Sequence, residues 1–277
     1  MKKSILLLSL IALASCKSAD QKAAESLIAQ AQECISQKNY TTAIALIDSL
    51  NATYPQQIEA RVESSTLRNK AIREYTEQQS LVADSIIALL TPKIEEYEGK
   101  FEHVPGKDGM AGYFVAKIAY VPDFSATTGI EARVSDADYS FYMVASSNDK
   151  RIGVTQIALD TDAGVGAVSV AIDTSDSRSG DTDRFGIDLA TFATSEVSQL
   201  AEWAAANASA ITAFTLKGKA GDVTKPMSPA QAEAIGFTWN FSQVAYRLHH
   251  AHRLSEKLER QMIIARDHDA NLTPTIP

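Results

Sequence analysis

From Gln56 to Glu98 the chain has no glycine and a single proline, and this stretch constrains the fold more than any other. It is rich in Glu, Gln, Arg, Ala and Leu, which lose little conformational freedom in a helix, so one long helical arm is expected. Apolar residues fall at Ile58, Val62, Ile72, Val82, Ile86, Leu89, Leu90, Ile94 and Tyr97. Thr91-Pro92 marks a kink or restart, because proline removes a donor and crowds the preceding turn. At about 1.5 Å per residue the arm would reach roughly 60 Å. A stripe of that length cannot be buried within one helix and calls for a partner.

The partner is expected near the C-terminus. Ser228-Pro229-Ala230-Gln231 reads as a helix start, with Ser228 as cap, Pro229 in the first turn and Gln231 closing a capping box. Val244, Leu248, Ala251, Ser255, Leu258, Met262 and Ala265 then alternate spacings of four and three, a heptad seam with one polar break. Gly236 is a weak spot near its start. The two arms are each about 40 residues long, and an antiparallel pair is the economical way to cover both stripes.

Between the arms, from about His103 to Gly221, the apolar period drops to two, and glycine, Asp, Ser, Thr and aromatics rise. Strands are expected over Tyr113–Tyr120, Ile130–Ser135, Ser140–Ala145, Ile152–Leu159, Val165–Ile172 and Ile211–Leu216. Thr161-Asp162-Ala163-Gly164 signals a hairpin, Glu196–Ala206 a short helix behind Ser195, and residues 173–184 and 218–227 loops. Six or so short antiparallel strands suggest a β-sandwich or an open barrel.

Before the first arm, Ala24, Leu27, Ile28, Ala31, Cys34 and Ile35 mark one helix and Ala43, Ile44, Ile47 and Leu50 a second, turning at Lys38-Asn39-Tyr40 and stopping at Pro55. The stretch Gln37–Ile44 followed by Pro55 resembles the second half of a tetratricopeptide repeat, with Tyr40, Ala43 and Pro55 in its register. One such unit cannot bury its own face and must pack on something else.

The N-terminus carries a different signal. Lys2 and Lys3 precede an apolar run from Ile5 to Ala14, too short to span a bilayer, and small residues then lead to a cysteine. Leu13-Ala14-Ser15-Cys16 resembles the lipobox of bacterial lipoproteins. That resemblance implies cleavage after residue 15, diacylation of Cys16 as the lipid attachment site, and membrane association through the acyl chains. Lys17 follows the cysteine; in enterobacterial lipoproteins an Asp there implies inner-membrane retention, so outer-membrane sorting is expected. The order of elements, with Ala43-Ile44 through Leu50, Tyr54-Pro55 and Glu59-Ala60-Arg61, also resembles a set of uncharacterised envelope lipoproteins of Gram-negative bacteria. That set implies no activity.

Charge excludes one class of partner. Formal charge is −8, and removing Lys2 and Lys3 leaves 24 basic against 34 acidic side chains, or −10. Such a chain repels phosphate backbones, so no nucleic-acid role is expected. With Cys16 acylated, Cys34 alone is left; it cannot form an internal disulfide and reads as core.

Chemistry-bearing constellations are few. Asp173, Asp176, Asp181 and Asp183 could offer oxygens to Ca²⁺, but the EF-hand spacing is absent and Arg178 and Arg184 oppose a cation, so a solvated loop is expected. His249 and His252 could share a helix face, yet no His-Glu-x-x-His pattern is present, and exposed helix histidines are expected. There is no Gly-x-Ser-x-Gly elbow and no phosphate loop. Trp203, Trp239, Tyr139, Phe141 and Tyr142 could form a sugar-stacking platform if exposed, although aromatics in strands and helices usually build core. Phe141 and Tyr142, being adjacent, must face opposite sides of their sheet.

These readings assemble into an α+β protein: a signal peptide over 1–15, an anchor and tetratricopeptide-like hairpin over 16–55, a helical arm over 56–100, a β-rich domain over 101–225, a long helix over 226–267 and a tail over 268–277. The two long helices pair as an antiparallel coiled-coil stalk with the β-domain inserted between them. The expected function is that of an acyl-anchored envelope lipoprotein, a non-enzymatic binding or scaffolding protein for a protein partner or glycan, with no cofactor, no metal and no catalytic residue assigned. Carbohydrate binding as an accessory lipoprotein is the first alternative, and hydrolysis of cell wall or polysaccharide the second.

Overall fold

A computed structural model describes residues 18–107, 109–173 and 188–272, with side chains as far as residue 264. The expected signal segment, Cys16, Asp176, Asp181, Asp183, the side chain of Ala265 and the end of the tail lie outside the described residues. The fold is α+β, with helices and two antiparallel sheets. It divides into two compact units, one of Met1–Asp84 with Leu254–Pro277, the other Ser85–Arg253.

In the first unit, α1 (Ala19–Ser36) and α2 (Tyr40–Thr53) form a hairpin, and α3 (Ile58–Glu95) begins against them. Ser18 caps α1 by accepting from the Gln21 N–H, and Asn39 caps α2 by accepting from Thr42. Ile35, Tyr40 and Ala43 meet Ala71 of α3 in one cluster, with Cys34 half-buried at its edge and not in the core as expected; Ala24, Ile28 and Leu50 form a second. Arg68 reaches back to Asp48 at 2.9 Å, and Ser64 donates to Asn51.

The buried stripe of α3 is only in part the aliphatic one: Leu90 is buried as expected. Ile58 and Val62 are 71% and 66% exposed, and Val82 and Leu89 are exposed too, whereas Ser64, Ala71, Thr76 and Ala83 are buried. Small side chains let neighbouring backbones approach closely, so angular position on the helix outweighs hydropathy here. Thr76 satisfies its hydroxyl by donating to the Ile72 carbonyl.

The second unit carries nine strands among its described residues. The first sheet has the order β1-β2-β3-β4-β7: β1 (Phe101–Val104), β2 (Tyr113–Ala116), β3 (Gly129–Ser135), β4 (Phe141–Ser147) and β7 (Asp188–Ala193). The second has the order β6-β5-β8-β9: β5 (Val154–Thr161), β6 (Gly164–Val168), β8 (Ile211–Gly218) and β9 (Gly221–Pro226). Strand β9 lies inside the stretch 218–227 expected to be loop. It is a short, polar edge strand without strong alternation, and Gly218 pairing with Gly221 turns the chain into it. The expected strand from Tyr113 stops at Ala116, where a 3₁₀ turn begins.

One core serves both sheets. Val134, Phe141, Met143 and Phe192 of the first sheet meet Ile157, Leu159, Phe214 and Leu216 of the second. Helices α4 (Thr194–Asn207) and α5 (Pro229–Leu272) add Val197, Leu200, Ile235 and Phe241. The capping box of α5 forms as read: Gln231 Oε1 accepts from the Ser228 N–H at 2.9 Å, and Ser228 Oγ from the Gln231 N–H at 3.3 Å. Gly236 proves to be a packing device, not a weak spot. A Cβ there would lie 2.4 Å from Cα of Ala205, so the absence of a side chain lets α5 seat on α4. Asp188 ties the sheets together: its carboxylate accepts from the backbone N–H groups of Ile152, Gly153 and Val154.

Candidate functional site

Register places the chemistry on the face of the first sheet opposite the core. Val115 pairs with Arg133, Arg133 with Tyr142 and Tyr142 with Ala193, so Tyr113, Glu131, Arg133, Ser135, Tyr142, Thr191 and Ala193 share that face. Phe141 goes to the core, and Tyr142 to this other side.

A charged cluster is buried there. The side chains of Glu131 and Arg133, two apart on β3, are 4% and 15% exposed and form an ion pair through Arg133 Nε and Glu131 Oε2. Arg133 also stacks over Tyr113, with its guanidinium carbon 4.0 Å from the ring centroid, and lies 5.6 Å from that of Phe124. Glu131 Oε1 is buried without a hydrogen-bond partner. Burial therefore pushes the Glu131 carboxyl up, against the opposing pull of the Arg133 charge and hydrogen bond and the Val121 N–H. Tyr142 is pushed up to about 12 by burial, with Arg133 pulling the other way by its charge and a hydrogen bond.

Tyr142 joins this cluster to a groove of about 500 Å³. The groove is lined by the hydroxyl-bearing Ser135, Ser140, Tyr142, Thr191, Thr194 and Ser195, with Ala111, Gly112, Phe141 and Ala193 between them. The turn after β3 supplies Ser140, β7 supplies Thr191, and the start of α4 supplies Thr194 and Ser195. Asp138 organises one wall: Ser140 donates to it through its hydroxyl at 2.7 Å and its N–H at 3.0 Å. Burial would raise the Asp138 carboxyl, but those bonds, a hydrogen bond from Ser135 and the charge of His249 outweigh it and hold it below the ordinary range. On the other wall Thr194 donates to the Phe141 carbonyl and Ser195 to Glu196.

Of the expected sugar-stacking residues, Phe141 and Tyr142 line this groove. Phe141 is buried, and Trp239 meets it edge-on at 5.2 Å. Trp203 lies on β6, where a Cβ on Gly166 would come 2.2 Å from its ring. Tyr139 packs on Phe114 and His249. The platform is therefore not assembled, because four of the five rings are spent on packing. His249 is half-buried against Tyr139 and His250 sits 4.2 Å from Tyr246, while His252 is exposed. Among the described residues no three His, Cys, Asp or Glu side chains converge as a metal site would require. Asp173 lies 3.7 Å from Lys219. A separate pocket of about 370 Å³ is lined by Ile94, Tyr97, Phe101, Phe114 and Phe241, with Glu95, Glu98 and His103 at its edge. Its rings stack on one another, Phe101 on Phe241 at 4.2 Å.

The Glu131–Arg133 pair had a sequence signal: opposite charges two apart in an apolar strand share one face, and that face must then be covered or paired. The hydroxyl groove had none, since it draws on strands and turns distant in sequence. No helix among the described residues is long and apolar enough to cross a membrane. No family model matches this chain, and neither a curated protein nor a solved structure matches it.

Proposed function

We propose that this chain is an acyl-anchored envelope lipoprotein that works by binding rather than by catalysis, with the groove beside Tyr142 as its ligand site. The groove carries the proposal. Its hydroxyls are held by hydrogen bonds already made within the protein, so a ligand would meet a pre-organised polar surface. No His or Lys is among its lining residues, and the two carboxylates that meet its hydroxyls, Asp138 and Glu196, hold them in place, which favours recognition over nucleophilic catalysis.

The setting is proposed from the sequence: acylation at Cys16, outer-membrane sorting, and a tetratricopeptide-like hairpin in α1 and α2 open to a protein partner. We further propose that α3 and α5 pair as an antiparallel coiled-coil stalk with the sheets inserted as a sandwich. Their similar lengths and the heptad seam of α5 support the pairing, which would bring the start of α3 beside the end of α5. An Ile58→Cys/Ile264→Cys protein should then be joined by a short bifunctional thiol cross-linker; its failure to be joined would remove the stalk.

Two further measurements test the whole. Palmitate label should enter the wild-type protein and not Cys16→Ala. A photo-crosslinking residue at the exposed Thr191 should give a mass-shifted groove peptide in living cells, while the same residue at Thr212, exposed on the second sheet, should not. Equal adducts at both positions, or none at Thr191, would refute the groove as a ligand site.

A further inference from the structure

We infer that the groove recognises a neutral saccharide, which it holds mainly by accepting hydrogen bonds from the ligand's hydroxyls; this rests on the groove being the ligand site. A hydroxyl has one hydrogen to donate and two lone pairs to accept with. Four of the groove hydroxyls have committed that hydrogen inward: Ser135 and Ser140 to Asp138, Thr194 to the Phe141 carbonyl and Ser195 to Glu196. What they present to the groove is lone pairs. The Tyr142 oxygen is hydrogen-bonded with Arg133, which leaves its O–H as a donor, and the Thr191 hydroxyl is exposed and free to act either way.

The surrounding charges narrow the class. Arg133 behind Tyr142 is paired with Glu131, so it offers no free charge to attract an anion. Asp138 behind Ser135 and Ser140, and Glu196 behind Ser195, oppose an anionic ligand. A ligand that brings many donors and no charge is a polyol, and Tyr142 adds the flat apolar surface against which a pyranose ring packs. A volume of about 500 Å³ lies within the range of small-molecule sites.

The test uses the mature chain from residue 16 carrying Cys16→Ser, titrated by calorimetry and saturation-transfer NMR with cellohexaose, chitohexaose, laminarihexaose and maltohexaose. Each sugar is paired with its permethylated form, which keeps the acceptors and loses the donors. At least one hexaose should bind, and methylation should weaken it about tenfold or more, the loss of two or so ordinary hydrogen bonds. Thr191→Trp, at an exposed site, should abolish binding with the protein still folded, and Thr212→Val should leave it unchanged. Binding of the methylated sugar as tightly as the free one, binding untouched by Thr191→Trp, or no binding of any hexaose overturns the inference. A peptide or lipid adduct at Thr191 in the crosslinking experiment also overturns it while leaving the groove as a ligand site.

Discussion

Replacing Gly236 by Ala sets two opposing effects against each other at one position. Alanine is favoured over glycine inside a helix by about 1 kcal/mol, because glycine loses more backbone freedom on folding. Against this, the new Cβ would lie 2.4 Å from Cα and 3.0 Å from Cβ of Ala205. The nearest atom is backbone, so no rotamer change relieves it and α4 and α5 must part. Overpacking of this kind costs about 1–3 kcal/mol, and the deep overlap puts Gly236 towards the upper end, for a net loss of about 1–2 kcal/mol. At about 2–4 °C per kcal/mol for a unit of this size, the midpoint should fall by several degrees. The chain's two tryptophans, Trp203 and Trp239, lie on those same helices, so intrinsic fluorescence during urea unfolding reports on this contact. Adding Ala205→Gly should recover only part of the loss, since the closest atom is Cα. A Gly236→Ala protein as stable as wild type would refute the close-packing account. Because α4 begins with Thr194 and Ser195, the variant should also weaken groove binding.

Three further outcomes are expected. The Glu131 carboxyl is raised in the fold, so the folded protein holds its proton longer than the unfolded chain does; stability from this group is present at low pH and lost as pH rises from the unfolded value through the folded one. Glu131→Gln should flatten that decline in urea midpoints between acid and neutral pH, and an unchanged slope would refute it. Asp138 runs the other way: its carboxyl is lowered in the fold, so its contribution is present above the unfolded value and lost as pH falls through the folded one. Asp138→Asn should reduce acid sensitivity and weaken groove binding, because the Ser135 and Ser140 hydroxyls lose an anionic acceptor. In an alkaline absorbance titration, Tyr142→Phe should remove a phenolate that ionises only near pH 12.

The periodicity of the chain foretold much of the architecture. The hairpin of α1 and α2, the two long helices, the capping box at Ser228 and the antiparallel character of the middle all follow from apolar spacing, caps and breakers, which act over a few residues. The same reasoning failed where the outcome depends on partners far along the chain. Strand β9 has too little alternation to declare itself, and its ladder comes from β8. On α3 the eye goes to Ile58, Val62 and Leu89, yet Ala71 and Ala83 are buried, because close helix approach selects small side chains. The aromatic platform failed for a related reason: ring chemistry says what a side chain can do, and packing decides whether it is free to do it.

By itself, then, the sequence determined the helices, most of the strands and the acidic balance, since each depends on neighbouring residues or on simple sums. Tertiary structure alone decided that Phe141 enters the core while Tyr142 turns to the groove, and that Glu131 and Arg133 are buried as a pair. It also brought Ser135, Ser140, Thr191, Thr194 and Ser195 to one surface with most of their hydrogens turned inward. Sheet register and hydrogen-bond direction are properties of contacts between distant segments, and no local pattern in the chain carries them.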